Sequence, residues 1–237
     1  MTRIPTWTRT KLANGAELVV SVKSDLPLVS FTLAFVGGAT SFEPADKTGV
    51  ANFTAQMLSE GTASKSADDF SNAQQLLGVS LLSSVSNESA TIGFTALKDR
   101  FDGALALATD MLLHPAFPAD ALERIRGRTL VSLTQARDNP NAVASNVFST
   151  VNYGATHPYG RVMTEASVKA ITRDDVVAFH QGARGGVAHA VDLLVHRRIF
   201  FDIGVGARHI SFRLVIIVIR HEIFDRIVGK KRFHLGV

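Results

Sequence analysis

Apolar and polar residues along this chain change period part-way, from short alternating runs to three- and four-residue spacing. Leu12 to Val20 reads as strand, Asn14-Gly15 turn, strand, because Asn-Gly readily takes the positive-φ backbone of a tight hairpin. Val29 to Val36 alternates as a third strand, closed by Gly37-Gly38. Pro44-Ala45-Asp46-Lys47 leads into a helix from about Thr48 to Leu58, with Gly61 as its stop. Ser66-Ala67-Asp68-Asp69 has the look of a capping box opening a second helix, which runs to Leu77 and ends at Gly78. Val79 to Ser86 and Ala90 to Ala96 form a predicted hairpin joined through Asn87-Glu88.

Helices follow in a run. Phe101 to Leu113 repeats apolar residues at Leu105, Ala108 and Leu112. Ala119 to about Arg137, entered after Pro118, places Leu122, Ile125, Leu130 and Leu133 on one broad face. Pro140 to about Val151 is the next, and Thr172-Arg173-Asp174-Asp175 caps a last helix through His180. Strands first in pairs and helices later in a run predict an α+β fold, an antiparallel sheet with helices packed on one face.

Composition narrows the chemistry. The chain of 237 residues has apolar content enough for one large core or two small ones. Its longest aliphatic run, Leu214 to Ile219, is too short to span a bilayer, and Met1 to Trp7 lacks the apolar core of a secretory signal. With Cys 0, disulfides, thiolate metal sites and a Cys nucleophile are excluded. Residues 1–181 carry 15 Lys/Arg against 17 Asp/Glu, whereas residues 182–237 carry 10 against 4. The net charge of +4 therefore belongs to the last quarter, and the main body gives no reason to invoke nucleic acid. No Ser stands in a Gly-x-Ser-x-Gly setting, and there is no Gly-rich phosphate loop.

The most informative stretch is Gly49-Val50-Ala51-Asn52-Phe53-Thr54-Ala55-Gln56-Met57-Leu58, followed by Gly61-Thr62. It resembles the motif helix of the pitrilysin/insulinase/mitochondrial-processing-peptidase family of zinc metallopeptidases. That helix reads Gly-(aliphatic)-Ala-His-x-x-Glu-His-Met-Leu, then Gly-Thr. Two His at i and i+4 share one helical face and ligate one Zn²⁺, while the Glu deprotonates the metal-bound water. Here Asn52 stands at the first His position, Ala55 at the Glu position and Gln56 at the second His position. The family's third ligand, a Glu, falls near Ser132-Leu133-Thr134, and Val131 to Arg137 contains no carboxylate. A side-chain amide is a poor zinc ligand and alanine cannot take a proton, so catalytic residues and metal ligands are expected to be absent.

Further motifs follow in the family's order: Leu113-His114-Pro115-Ala116-Phe117, Asp138-Asn139-Pro140, His157-Pro158-Tyr159-Gly160-Arg161, and Ser167 to Asp175. The resemblance covers residues 8–181. His157 reads as part of a structural turn rather than a base, His114 as a helix-end residue, and Asp68-Asp69 and Asp174-Asp175 as helix-start carboxylates. Residues 1–181 are thus expected to form an insulinase-type domain without its zinc motif.

Past Gln181 the pattern ends in an atypical basic and aliphatic tail, 182–237, with eight Ile against four in the preceding 181 residues and five of the eight His. It reads three ways: out-of-frame or disordered sequence, a divergent pair of strands with Phe212 to Ile219 buried, or a basic arm through Arg226, Lys230, Lys231 and Arg232. His221-Glu222 is a weak zinc-motif start, since position 225 is Asp.

The resemblance implies a zinc-free, noncatalytic half that pairs with a zinc-bearing homologous subunit or half and closes a peptide-binding chamber. Cofactors are expected to be none, with zinc held only in the partner. Relatives hold peptide substrate as an added strand on a sheet edge, which falls here at Leu81, Leu82, Ser83 and Ser84. The alternatives are a structural or assembly subunit of the same fold, like the core subunits of respiratory complex III, or a truncated product without function. The ends of the chain suggest a fragment. Its compartment would be periplasmic if it is a piece of a longer secreted bacterial protein, and otherwise cytoplasmic.

Overall fold

The structure, a computed structural model, describes residues 7–11, 16–22, 26–184 and 212–219. Its strands are β1 (Trp7–Lys11), β2 (Glu17–Val22), β3 (Leu28–Val36), β4 (Leu82–Val85), β5 (Ser89–Leu97) and β6 (Phe212–Ile219). The helices are α1 (Ala39–Phe42), α2 (Val50–Met57), α3 (Ala67–Leu77), α4 (Phe101–Leu113), α5 (Ala119–Arg137), α6 (Pro140–Tyr153), α7 (Glu165–Ala170) and α8 (Arg173–Arg184). They form the expected α+β arrangement around one six-stranded sheet of order β1-β2-β6-β3-β5-β4.

Alternation decides which face is covered. Val29, Phe31, Leu33 and Phe35 of β3 are buried, as are Ile92, Phe94 and Ala96 of β5. Phe31 lies opposite Phe94, their rings 5.3 Å apart, and Phe101 at the start of α4 closes the cluster 5.6 Å from Phe94. Aromatic pairs of this kind contribute about 0.5–1.5 kcal/mol beyond the area they bury. From the helical layer, Val50, Phe53 and Met57 of α2, Ala104, Leu107 and Met111 of α4, and Ile125 of α5 join the same core.

Local chemistry places the ends of α3 and the start of α6 where the sequence predicts them, whereas α8 runs to Arg184 rather than stopping at His180. Ser66 Oγ accepts from Asp69 N at 3.1 Å to start α3, and Gly78, at φ +66°, ends it. Asn139 Oδ1 caps α6 at 3.0 Å from Asn141 N, with Pro140 in the first turn. The short α1 and α7 go beyond the predicted elements. α7 rests on a reciprocal cap in which Thr164 Oγ1 accepts from Ser167 N (3.1 Å) while Ser167 Oγ accepts from Thr164 N (3.0 Å).

Two features of the sheet differ from the sequence-based expectation. The strand expected over Val79–Ser86 shortens to β4, because Val79 N donates to Gln74 O (3.0 Å) and Leu81 N to Gln74 Oε1 (2.8 Å). Those bonds keep residues 79–81 tied to the end of α3. Pairing is antiparallel throughout except between β3 and β6, which run parallel, so β6 sits inside the sheet between β2 and β3. It occupies Phe212 to Ile219, the span read as a strand. Of the 182–237 tail, only the last turn of α8 and β6 are described. The basic-arm residues and His221-Glu222 lie outside the described residues.

At Gly38 the backbone runs against the β4–β5 hairpin, and a Cβ there would sit 2.1 Å from Ser86 O. Gly38→Ala is expected to lower stability by about 1–3 kcal/mol or more, since a backbone atom cannot swing away. Denaturant unfolding of the variant beside wild type measures this.

Candidate functional site

Helix α2 begins unusually. Gly49 precedes it at φ +110°, a conformation L side chains rarely adopt, and the cap is supplied from outside the helix. The Glu43 carboxylate accepts from Gly49 N (2.7 Å) and Ala51 N (3.1 Å), satisfying two of the donors a helix N-terminus leaves open. Burial pushes the Glu43 carboxyl above its ordinary range, against the opposing pull of those two N–H groups and of Arg161.

With Val50, Phe53 and Met57 turned into the core, the remaining faces of α2 are settled. Asn52 and Gln56, four residues apart, are exposed side by side, and Gln56 Nε2 donates to Asn52 Oδ1. Ala55 is buried and faces β4, where its carbonyl accepts from Ser83 Oγ at 2.5 Å. α5 packs beside α2, and Ser132 and Thr134 on it are exposed while Leu133 is half-buried. Among the described residues, no three His, Cys, Asp or Glu side chains converge.

β4 is the last strand of the sheet, and among the described residues nothing pairs beyond it. Ser86 N donates to Ser89 O at 2.7 Å, which makes 84/91 and 82/93 the hydrogen-bonded pairs of the hairpin. The backbone N–H and C=O of Ser83 and Val85 therefore point away from β5. Leu82 and Ser84 are exposed and Ser83 half-buried, whereas Leu81 is buried and stands before the strand. Between β4, β5, α2, α4 and α8 lies a cavity of about 50 Å³, walled by Phe35, Leu58, Leu112 and Phe179 and reaching Ala55.

The loop after α2 is held by charge and hydroxyls. Thr62 Oγ1 and Ser64 Oγ donate to Asp110 Oδ2 at 2.7 and 2.9 Å, and His114 Nδ1 lies 3.2 Å from Asp110 Oδ1. Burial would raise the Asp110 carboxyl, but the Thr62, Ser64 and His114 hydrogen bonds outweigh it and hold it below its ordinary value of 3.8. His114 sits at the end of α4, as read from the sequence. His157 likewise belongs to a turn, its Nδ1 accepting from Tyr159 N at 3.2 Å, while Tyr159 Oη donates to Glu88 and ties that turn to the β4–β5 hairpin.

A family model described as insulinase (peptidase family M16) matches residues 18–164, more than half of the chain. The chain belongs to the insulinase family. Within that family it is 28% identical over 152 residues to the "Non-peptidase homolog YmxG" of Helicobacter pylori, covering 64% of this chain and 35% of the relative. It is 27% identical over 176 residues to an "Uncharacterized zinc protease" of Mycobacterium leprae, covering 73% and 39%. Among solved structures it is similar to a "peptidase M16 inactive domain" of Pseudomonas fluorescens, with TM-score 0.70, 25% identity, and 90% of this chain on 46% of that one. Pitrilysin shares the fold, with TM-score 0.63 and 16% identity over 90% of this chain and 21% of its own. The insulinase-family chain described here thus spans 35% and 39% of the length of those two curated relatives.

The sequence located Asn52, Ala55 and Gln56 through the motif alone. It did not single out Glu43, Asp110 or the cavity, because their partners lie far away in the chain. Asp110→Asn should cost about 1–2 kcal/mol at neutral pH by weakening three hydrogen bonds to a charged acceptor. A lowered folded-state value means that this stability is present above 3.8 and fades as pH falls through the still lower folded value. Thermal melts of both proteins are expected to differ at pH 7 and to draw together as pH is lowered below 3.8 toward the lowered folded-state value.

Proposed function

We propose that this chain is a noncatalytic insulinase-family half, one that holds peptide on the β4 edge and pairs with a zinc-bearing homologue that performs the cleavage. The observation that carries this reading is the juxtaposition of a sheet edge that no described residue pairs with and a motif helix that holds Asn52, Ala55 and Gln56 at the positions read as reactive. The donor set does not fit a zinc ion. Asn52 and Gln56 offer neutral amides that already satisfy one another, Ala55 offers a methyl group, and the Ser132–Thr134 region brings no carboxylate. No step of hydrolysis is assigned to this chain.

Holding peptide needs none of those side chains. The outward N–H and C=O groups of Ser83 and Val85 can pair with an extended peptide, and Gly38 together with the Tyr159–Glu88 bond braces the hairpin that carries them. Support for a companion comes from α6. It has no charged residue, and Val143, Val147, Phe148 and Val151 lie exposed along one face, Phe148 at 67% and Val151 at 78%. A surface helix of this composition suits a second folded half of the same family. The relatives named above, whose chains run to more than twice the matched length, carry enough sequence to supply such a half.

Two measurements test the reading. The purified chain should contain no zinc and cleave no peptide, yet raise cleavage when mixed with a zinc-bearing family member from the same genome. Stoichiometric zinc with chelator-sensitive cleavage by the chain alone would sink it, and absence of any association would leave a structural role instead. Phe148→Glu should weaken the association roughly tenfold or more, because truncating a buried aromatic anchor commonly costs 2 kcal/mol or above. Its own stability should change by no more than about 0.5 kcal/mol, as expected for an exposed site.

A further inference from the structure

We propose that β4 is a self-pairing edge, through which two copies of this chain join their sheets antiparallel across a twofold axis. The proposal goes beyond peptide holding and does not depend on it, because it needs only the edge and a second copy.

The two ends of the sheet are guarded differently. β1 carries Arg9 and Lys11 on a strand exposed along its whole length, and charges of this kind keep an edge from pairing with its own copy. β4 reads Leu82-Ser83-Ser84-Val85, with no charge, no proline and an unbroken register against β5. No described residue pairs beyond it. Ser83 Oγ reaches back to α2, so alternation turns Leu82 and Ser84 to the opposite face of the sheet, where Leu82 is 69% exposed. A twofold contact sets each residue against the same short segment of its copy, and a strand without charge meets no like charge there.

The open backbone groups select one register. Antiparallel neighbours bond in pairs that use both the N–H and the C=O of each residue. Setting Ser83 against Val85 of the second copy, and Val85 against its Ser83, completes both pairs with the outward groups of β4. Sliding the strands until Ser83 meets Ser83 would set Val85 against Leu81, whose N–H already goes to Gln74 Oε1 at 2.8 Å. Sliding the other way would set Ser83 against Asn87, whose carbonyl already accepts from Thr40 N at 2.9 Å and Thr40 Oγ1 at 2.6 Å.

In the selected register Ser84 faces its own copy across the axis, in the pair without hydrogen bonds, where Cα atoms approach to about 4.5 Å. Ser84 is exposed, and its hydroxyl is bonded within its own sheet to Thr91 Oγ1 at 2.7 Å, so a small uncharged group meets its like. Leu82 falls opposite Ser86. A second copy and an extended peptide use the same backbone groups, so each excludes the other.

The test uses the full 237-residue chain. Sedimentation of wild type should show a dimer fraction that rises with concentration up to about 1 mM. Ser84→Lys sets two ammonium groups against each other at the axis and should weaken the dimer about tenfold or more, and Ser84→Glu should do the same. Mixing the two variants should restore association, because Lys then meets Glu. NMR amide exchange needs no variant: the N–H groups of Ser83 and Val85 should gain protection as wild-type concentration rises, while Ser84 N–H, already bonded to β5, should not change.

A chain that stays monomeric over that range overturns the proposal. So does a dimer that folded Ser84→Lys leaves intact, or that Phe148→Glu dissolves while Ser84→Lys does not. Association lost in both variants and not recovered in their mixture overturns the twofold register, and the proposal with it. If the variants do not fold, a rising dimer fraction with unchanged exchange at Ser83 and Val85 is enough to overturn it.

Discussion

Val50, Phe53 and Met57 lose all contact with solvent where α2 lies on the sheet, and burying one such side chain contributes about 1.5–3 kcal/mol. Once that face is committed, the 100° step of the helix leaves no freedom for its other residues. Asn52 and Gln56 must stand together on the outside, and Ala55 must face β4. Glu43 and Gly49 make the commitment possible from the other end, by satisfying the N-terminal N–H groups and turning the chain into the helix. The packing of α2 therefore rests on Val50, Phe53 and Met57 and not on the exposed Asn52 and Gln56.

This separation frees the exposed positions of α2 from the demands of the core. Asn52 and Gln56 are exposed and take no part in the packing of large residues, whereas Ala55 is buried against β4. The polar contacts that hold the neighbouring loop and hairpin, Thr62 and Ser64 on Asp110 and Tyr159 on Glu88, use other residues altogether. What remains is a sheet edge with outward backbone groups, an apolar pocket behind it, and an uncharged exposed helix on α6.

The sequence was legible wherever the deciding signal was local. Alternation marked β3, the Ser66 capping box marked α3, and Gly78 marked a stop, because each acts through bonds within a few residues. The start of β4 is not local in this sense, because Gln74, seven residues earlier, takes the Leu81 N–H away from the sheet. The parallel pairing of β6 with β3 was not legible at all. The two strands are far apart in sequence, and a run of aliphatic residues says that a strand is buried without saying beside which neighbour. The six residues of α7 are too few to show a period.

By itself the sequence determined the α+β class and the spans of the main helices, and it pointed to Asn52, Ala55 and Gln56 on the helix that resembles the family's motif. These follow from residue identity and short-range spacing, which survive any reading of the fold. Only the tertiary structure decided that Ala55 looks onto the edge strand, that Ser83 and Val85 turn their backbone outward, and that a cavity lies behind them. Those facts depend on register and packing between segments tens of residues apart, and no local pattern encodes which of two faces a neighbour will cover.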